Sequence, residues 1–118
     1  MAVKGGWERV NVNPYLLLAI AITIELVGTS ALKASDGFAN RGFGALFVAA
    51  YVVSFYLLSI TLRSLPLGFV YAVWAGVGTV GAAAIGVLIW KEALDPPRAI
   101  GVGLVVAGVV VLNLGGAH

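Results

Sequence analysis

Tyr15-Leu-Leu-Leu-Ala-Ile-Ala-Ile-Thr-Ile-Glu25-Leu-Val-Gly-Thr-Ser-Ala-Leu32 is an apolar run with one carboxylate inside it. Such a run reads as a membrane-spanning helix, which needs about twenty apolar residues. An ionisable group there costs about 2.5–3.5 kcal/mol on insertion scales. Groups of that kind face a water-filled cavity or a partner, and they mark ion or proton pathways. A carboxylate that holds a proton or a cation within the membrane is the core of a coupled transporter. Glu25 is therefore the first candidate functional residue.

The rest of the chain agrees with a membrane setting. Its 118 residues are 61% hydrophobic and 10% charged. This excludes an ordinary soluble domain and a disordered one. The net charge is +2, and the basic residues are scattered at helix ends without a basic stripe, so no nucleic-acid partner is expected. There is no cysteine, and the one histidine is His118. Disulfides, thiolate metal sites and a histidine-built metal centre are thereby excluded, and no cofactor is implied. Ser–His, Cys–His and paired-aspartate arrangements for intramembrane proteolysis or acyl transfer are also missing, so an enzyme is not expected.

Four spans fill the chain. Residues 1–12 form a polar N-terminal extension with Lys4, Glu8 and Arg9. They look like the charged start of a signal peptide, but the apolar run that follows is too long for a signal-peptide core and contains Glu25. Residues 13–118 form a single four-helix transmembrane domain. Span one covers about Pro14 to Ala34, with Asn13 as cap and Pro14 at the first helical position. Ser35-Asp36-Gly37 stops it. Span two covers about Phe43 to Leu62, and Pro66 and Gly68 punctuate the next turn. Span three covers about Leu67 to Trp90, ending at Lys91-Glu92. Span four starts at Asp95-Pro96-Pro97 and reaches about Leu114, with Asp95 as its cap. Short connections make neighbouring helices antiparallel hairpins.

The loop charges give no clear orientation. Lys4, Arg9 and Arg63 lie on one side; Lys33, Arg41, Lys91 and Arg98 lie on the other. The positive-inside rule needs an excess on one side. Two readings stay open: other signals set one orientation, or copies insert both ways and pair antiparallel. Four short helices also offer few polar groups for a site within one copy. Association would bring two copies of Glu25 together. Gly101, Gly108 and Gly115 recur at seven-residue spacing on span four, with Gly103 and Ala107 nearby, and small residues permit close helix approach. Packing within the monomer is the alternative.

Helical periodicity assembles a candidate site. The face of Glu25 carries Leu18, Ala21, Ile22, Gly28, Thr29 and Leu32. Tyr71, Trp74 and Gly78 share a face of span three. Tyr51, Ser54, Phe55 and Leu58 share one of span two. Tyr15 and Thr23 are further polar handles on span one. Aromatic stripes are commonly core packing or an interfacial belt. Aromatic faces with a carboxylate are also what an organic cation requires, because ring faces supply cation–π attraction where water is excluded. Gly76-Val-Gly78-Thr-Val-Gly81 matches the dinucleotide fingerprint but lies inside an apolar helix, without the strand that motif needs. These glycines suit a kink or close packing instead. Asn113 suits a cap or an interhelical bond, and Lys33 and Arg63 suit snorkelling to the interface.

Several motifs together resemble the small multidrug resistance family of bacterial exporters. They are Asn-Pro-Tyr15, Ile-Glu25-Leu-Val-Gly-Thr-Ser-Ala-Leu-Lys33-Ala-Ser-Asp-Gly-Phe38, Ser54-Phe-Tyr-Leu-Leu, Leu65-Pro-Leu-Gly and Tyr71-Ala-Val-Trp74-Ala-Gly-Val-Gly78. The resemblance runs from about Asn13 to the end. It implies an all-α membrane protein, an antiparallel dual-topology homodimer in the bacterial inner membrane. It implies that Glu25 of both copies forms a shared site for protons and small organic cations. By the same carry-over Tyr71 and Trp74 line that site, with Tyr15, Tyr51, Ser54 and Phe55 nearby. Gly76 and Gly78 match the family's span-three kink, and Gly101 and Gly108 its span-four dimer contact. One branch exports quaternary ammonium and aromatic cations; another exports guanidinium. Gly28-Thr29 resembles the first, whereas Gly81 and Lys91-Glu92 resemble the second. The expected activity is proton-coupled export of hydrophobic cations, with guanidinium export as the alternative. A channel, a structural membrane protein or a helper subunit for a paralogue are the rivals from other classes.

Overall fold

The computed structural model describes residues 13–114, which form four long helices. They are α1 (Pro14–Ala34), α2 (Arg41–Thr61), α3 (Leu67–Leu88) and α4 (Pro96–Leu114). All four are long and apolar enough to cross a membrane. The polar extension over 1–12, Gly115 and His118 lie outside the described residues.

Each boundary has a local cause. The Asn13 side chain accepts from the Tyr15 amide at 2.8 Å, and Pro14 opens α1. Span two starts at Arg41 rather than Phe43, because Asn40 caps it by accepting from the Phe43 amide. Between α1 and α2, Asp36, Gly37 and Phe38 all adopt positive φ. Buried Ser35 holds this turn: its hydroxyl donates to the Leu32 carbonyl at 2.7 Å and accepts from the Phe38 amide at 3.1 Å. Span three stops at Leu88 rather than Trp90. Lys91 takes a left-handed conformation (φ 58), and the Glu92 amide returns to the Gly86 carbonyl at 2.9 Å. That closes the last turn early and leaves Trp90 in the connection. Asp95 caps α4 by accepting from the Arg98 amide at 3.1 Å.

The helices line up in the order α2, α1, α3, α4. They form a slab 17 Å across its thinnest direction. α1 has a seam on each side, and the one with α2 is the closest in the protein. Gly28 lies so close to α2 that a Cβ there would stand 2.9 Å from the Ala50 Cβ. Gly81 admits the Leu26 side chain in the same way on the α3 side. The buried core is Leu18, Ile22, Leu65, Phe69 and Val70, joined by Leu26, Leu58, Leu62, Val73 and Trp74. It occupies one half of the α1–α3 seam, towards the α2–α3 turn. Gly76 packs on Val109 and gives α3 its contact with α4. No described residue of α4 is buried.

Candidate functional site

Glu25 sits half-buried in the middle of α1, where α2 and α3 both approach it. Its Oε2 accepts two hydrogen bonds. Thr29, one turn further along α1, donates at 2.6 Å. Tyr51 of α2 donates at 3.2 Å, and the two hydroxyl oxygens are themselves 3.2 Å apart. Oε1 faces α3 at Gly78, where an added Cβ would lie 4.0 Å away. Glycine at that position leaves one carboxylate oxygen without a side chain against it from α3. The i, i+4 spacing of Glu25 and Thr29 puts both on one face, and the slimness of Gly28 brings Tyr51 within reach.

An aromatic run leads away from the carboxylate. Tyr51 stacks on Phe55 with ring centroids 5.7 Å apart, and Phe55 meets the edge of Trp74 at 6.0 Å. On the other side Tyr51 tilts against Phe47 at 4.5 Å. Tyr71, Trp74 and Phe55 line a cavity of about 110 Å³ with Leu58, Leu62 and Val70. The structure therefore brings Glu25, Tyr51, Phe55, Trp74 and Tyr71 into one connected region spanning α1, α2 and α3. Ser54 is fully buried and donates to the Tyr51 carbonyl at 3.2 Å. Tyr15 packs edge-on against Phe69 at 6.1 Å. It stands ten residues before Glu25, about 15 Å along the helix axis at 1.5 Å per residue. Within one chain it is not joined to the carboxylate.

Thr29 is the polar partner that the sequence understates. It was legible as a face-mate of Glu25, but its short bond to the carboxylate depends on a rotamer that sequence does not reveal. Lys33 is likewise more than a snorkelling cation. Its ammonium lies 3.1 Å from Glu92 and 5.4 Å over the Trp90 ring. Gly76 and Gly78 fall within the continuous helix Leu67–Leu88, one against α4 and one against Glu25. Gly101 and Gly108 have open space where a Cβ would project.

Comparison with known proteins shows the family. The profile of the family described as Small Multidrug Resistance protein matches residues 13–105, which include α1 to α3 and the first half of α4. The chain belongs to the small multidrug resistance family. Quaternary ammonium compound-resistance protein QacE of Escherichia coli is 47% identical over 100 residues, 85% of this chain and 91% of that protein. Multidrug resistance protein EbrA of Bacillus atrophaeus is 50% identical over 99 residues, 84% of this chain and 94% of that protein. A guanidinium exporter of Citrobacter freundii is 41% identical over 100 residues, 85% of this chain and 95% of that protein. The family and the four apolar helices make this a multi-pass protein of the bacterial inner membrane.

Proposed function

We propose that this member of the family is a proton-coupled antiporter that exports quaternary ammonium and other hydrophobic or aromatic cations. The observation that carries the reading is the Glu25 carboxylate, held by Thr29 and Tyr51 at the head of the Tyr51–Phe55–Trp74 ring series. A carboxylate supplies countercharge, and ring faces supply cation–π attraction that grows as water is excluded. Together these groups can bind and release a cation.

In this reading the working unit is an antiparallel homodimer in the bilayer. Two Glu25 carboxylates face one another and form one shared site. Tyr71, Trp74, Tyr51 and Phe55 flank it, and Ser54 and Tyr15 complete it, the latter from the partner copy. Gly101 and Gly108 of α4 form the contact between copies, which accounts for a helix that buries nothing within its own chain. Gly76 and Gly78 let α3 bend as the open side alternates. Cargo enters when the carboxylates are deprotonated and face the cytoplasm. Protons from the other side then take the carboxylates and displace it. Exchange of two protons for one monovalent cation moves net charge, so the membrane potential adds about 2.3 kcal/mol per charge per 100 mV.

A second reading, guanidinium export, is favoured by Gly81 and Lys91-Glu92 and by the similarity to the Citrobacter protein. Transport currents in liposomes separate the two. Bulky-cation currents that vanish in Glu25→Gln are expected. Currents from guanidinium alone would replace the first reading by the second. Proton-driven transport that survives Glu25→Gln would overturn the mechanism for both.

A further inference from the structure

The far end of the α1–α3 seam holds a second place where a cation is bound, and the cation there is Lys33. Its ammonium touches the Glu92 carboxylate at 3.1 Å and lies 5.4 Å above the Trp90 ring. Both groups border a cleft of about 190 Å³ whose inner wall includes Thr29 and Ser30. A carboxylate, a ring face and hydroxyl oxygens are together a set of cation ligands.

Glu92 owes its position to the backbone rather than to Lys33. Lys91 adopts φ 58, and the Glu92 amide donates to the Gly86 carbonyl at 2.9 Å. The Glu92 carboxylate rests against Gly86, in space that any Cβ would occupy. The anion would therefore stay in place if Lys33 let go. Letting go is easy: both partners are about half exposed, and such pairs are weak and screened by salt.

The hydroxyls say which cation fits. The Thr29 hydroxyl donates its hydrogen bond to Glu25 at 2.6 Å, and Ser30 donates its own to the Leu26 carbonyl at 2.9 Å. What they can offer the cleft is lone pairs, which accept from N–H donors. A quaternary ammonium has no N–H to give, and a bulky one exceeds the cleft.

We propose that this cleft is an outer binding site for guanidinium and small primary ammonium ions, and that Lys33 is its tethered competitor. The site shares Thr29 with Glu25, so it lies one helical turn from the central carboxylate. It deepens the exporter reading, but its occupancy is measurable without transport.

The test is a titration of the full chain in micelles or nanodiscs with Glu25→Gln, which disables the central site. The readout is the Trp90 indole N–H resonance, assigned by its loss in Trp90→Phe. Guanidinium chloride should shift it saturably at constant ionic strength, and tetramethylammonium should not. Lys33→Met should tighten guanidinium binding about two- to five-fold, the degree to which an exposed ion pair blocks a site. Glu92→Gln should abolish the shift, while bulky-cation binding in the Glu25 background reports that this variant is folded. Equal response to both cations, unchanged or weaker affinity in Lys33→Met, or an unaltered titration in Glu92→Gln would each overturn the proposal. Should Glu92→Gln not fold, Lys33→Met decides alone. Absent transport in liposomes would sink the exporter reading and leave these titrations standing.

Discussion

α1 and α4 are similarly long, at 21 and 19 residues, and both are apolar enough to span a bilayer. Within the chain they have opposite surroundings. α1 buries Leu18, Ala21, Ile22, Gly28 and Ala31 between two neighbours, whereas α4 packs chiefly on α3 and none of its described residues is buried. Lipid tails are as apolar as leucine, so hydrophobicity does not pull either helix inward. What differs is fit. α1 meets glycine or alanine on each flank, with Gly28 against Ala50 and Gly81 against Leu26, and it carries the Glu25 carboxylate with its Thr29 and Tyr51 partners. α4 has its small residues pointing away from the chain. A helix fixed by its own chain can hold a carboxylate in place. A helix with a free glycine face is available to another copy.

The same substitution on the two helices should break this comparison open. Gly28→Val places a branched side chain where Ala50 and the Tyr51 ring already stand. Overpacking of this kind costs about 1–3 kcal/mol, and it pushes Tyr51 off Glu25. The expected result is a lowered melting temperature in detergent together with lost binding of bulky cations. A variant that melts like the parent and binds normally would show that the α1–α2 seam is looser than described. The next largest effect concerns acid. Under the proposed antiport, protons and cations compete for Glu25, and cation affinity should then fall as the pH drops, with proton release on binding at fixed pH. Affinity independent of pH, measured by calorimetry in two buffers of different ionisation heat, would remove the competition.

Gly108→Val is the counterpart on α4 and should be gentler on the monomer. Among the described residues nothing lies within 4 Å of the added Cβ. The melting behaviour of the single chain should stay the same, while self-association measured by energy transfer between labelled copies weakens. Unchanged association with Gly108→Val would move the contact between copies away from this face.

The sequence made the four spans readable because each is a continuous apolar run of bilayer length bounded by turn residues. Its errors were at the ends. α2 begins at Arg41, two residues before the expected Phe43, because Asn40 caps it and a cap is a matter of side-chain geometry. The left-handed Lys91 ended α3 two residues before Trp90, and non-glycine residues rarely advertise that conformation. Glu25 and its face were also readable, since an ionisable group in an apolar helix is conspicuous and helical spacing is fixed. The helix order was not. Sequence carried no sign that α1 sits between α2 and α3, because that depends on Gly28 and Gly81 meeting particular side chains far along the chain. For the same reason the meeting of Tyr51 with Glu25, and of Lys33 with Glu92, appeared with the structure.

The smallest predicted effect separates the two donors to Glu25. Thr29 donates at 2.6 Å from the same helix, and Tyr51 donates at 3.2 Å from α2. Hydrogen bonds to charged groups contribute about 1.5–3 kcal/mol, and shorter ones sit at the stronger end. Thr29→Val keeps the shape and removes the hydroxyl, so the carboxylate loses the donor that fixes its rotamer. Roughly ten-fold weaker cation binding is expected at the lower end of that range. Tyr51→Phe keeps the stack on Phe55 and leaves Thr29 in place, so a loss of a few-fold is expected. Isothermal titration with one aromatic cation checks both. If Tyr51→Phe proves the more damaging, the phenol must touch the cargo directly, and α2 rather than α1 orients the bound cation. If both are silent, Glu25 is positioned by the second copy, and the balance between the fixed helix and the free one shifts towards the partner.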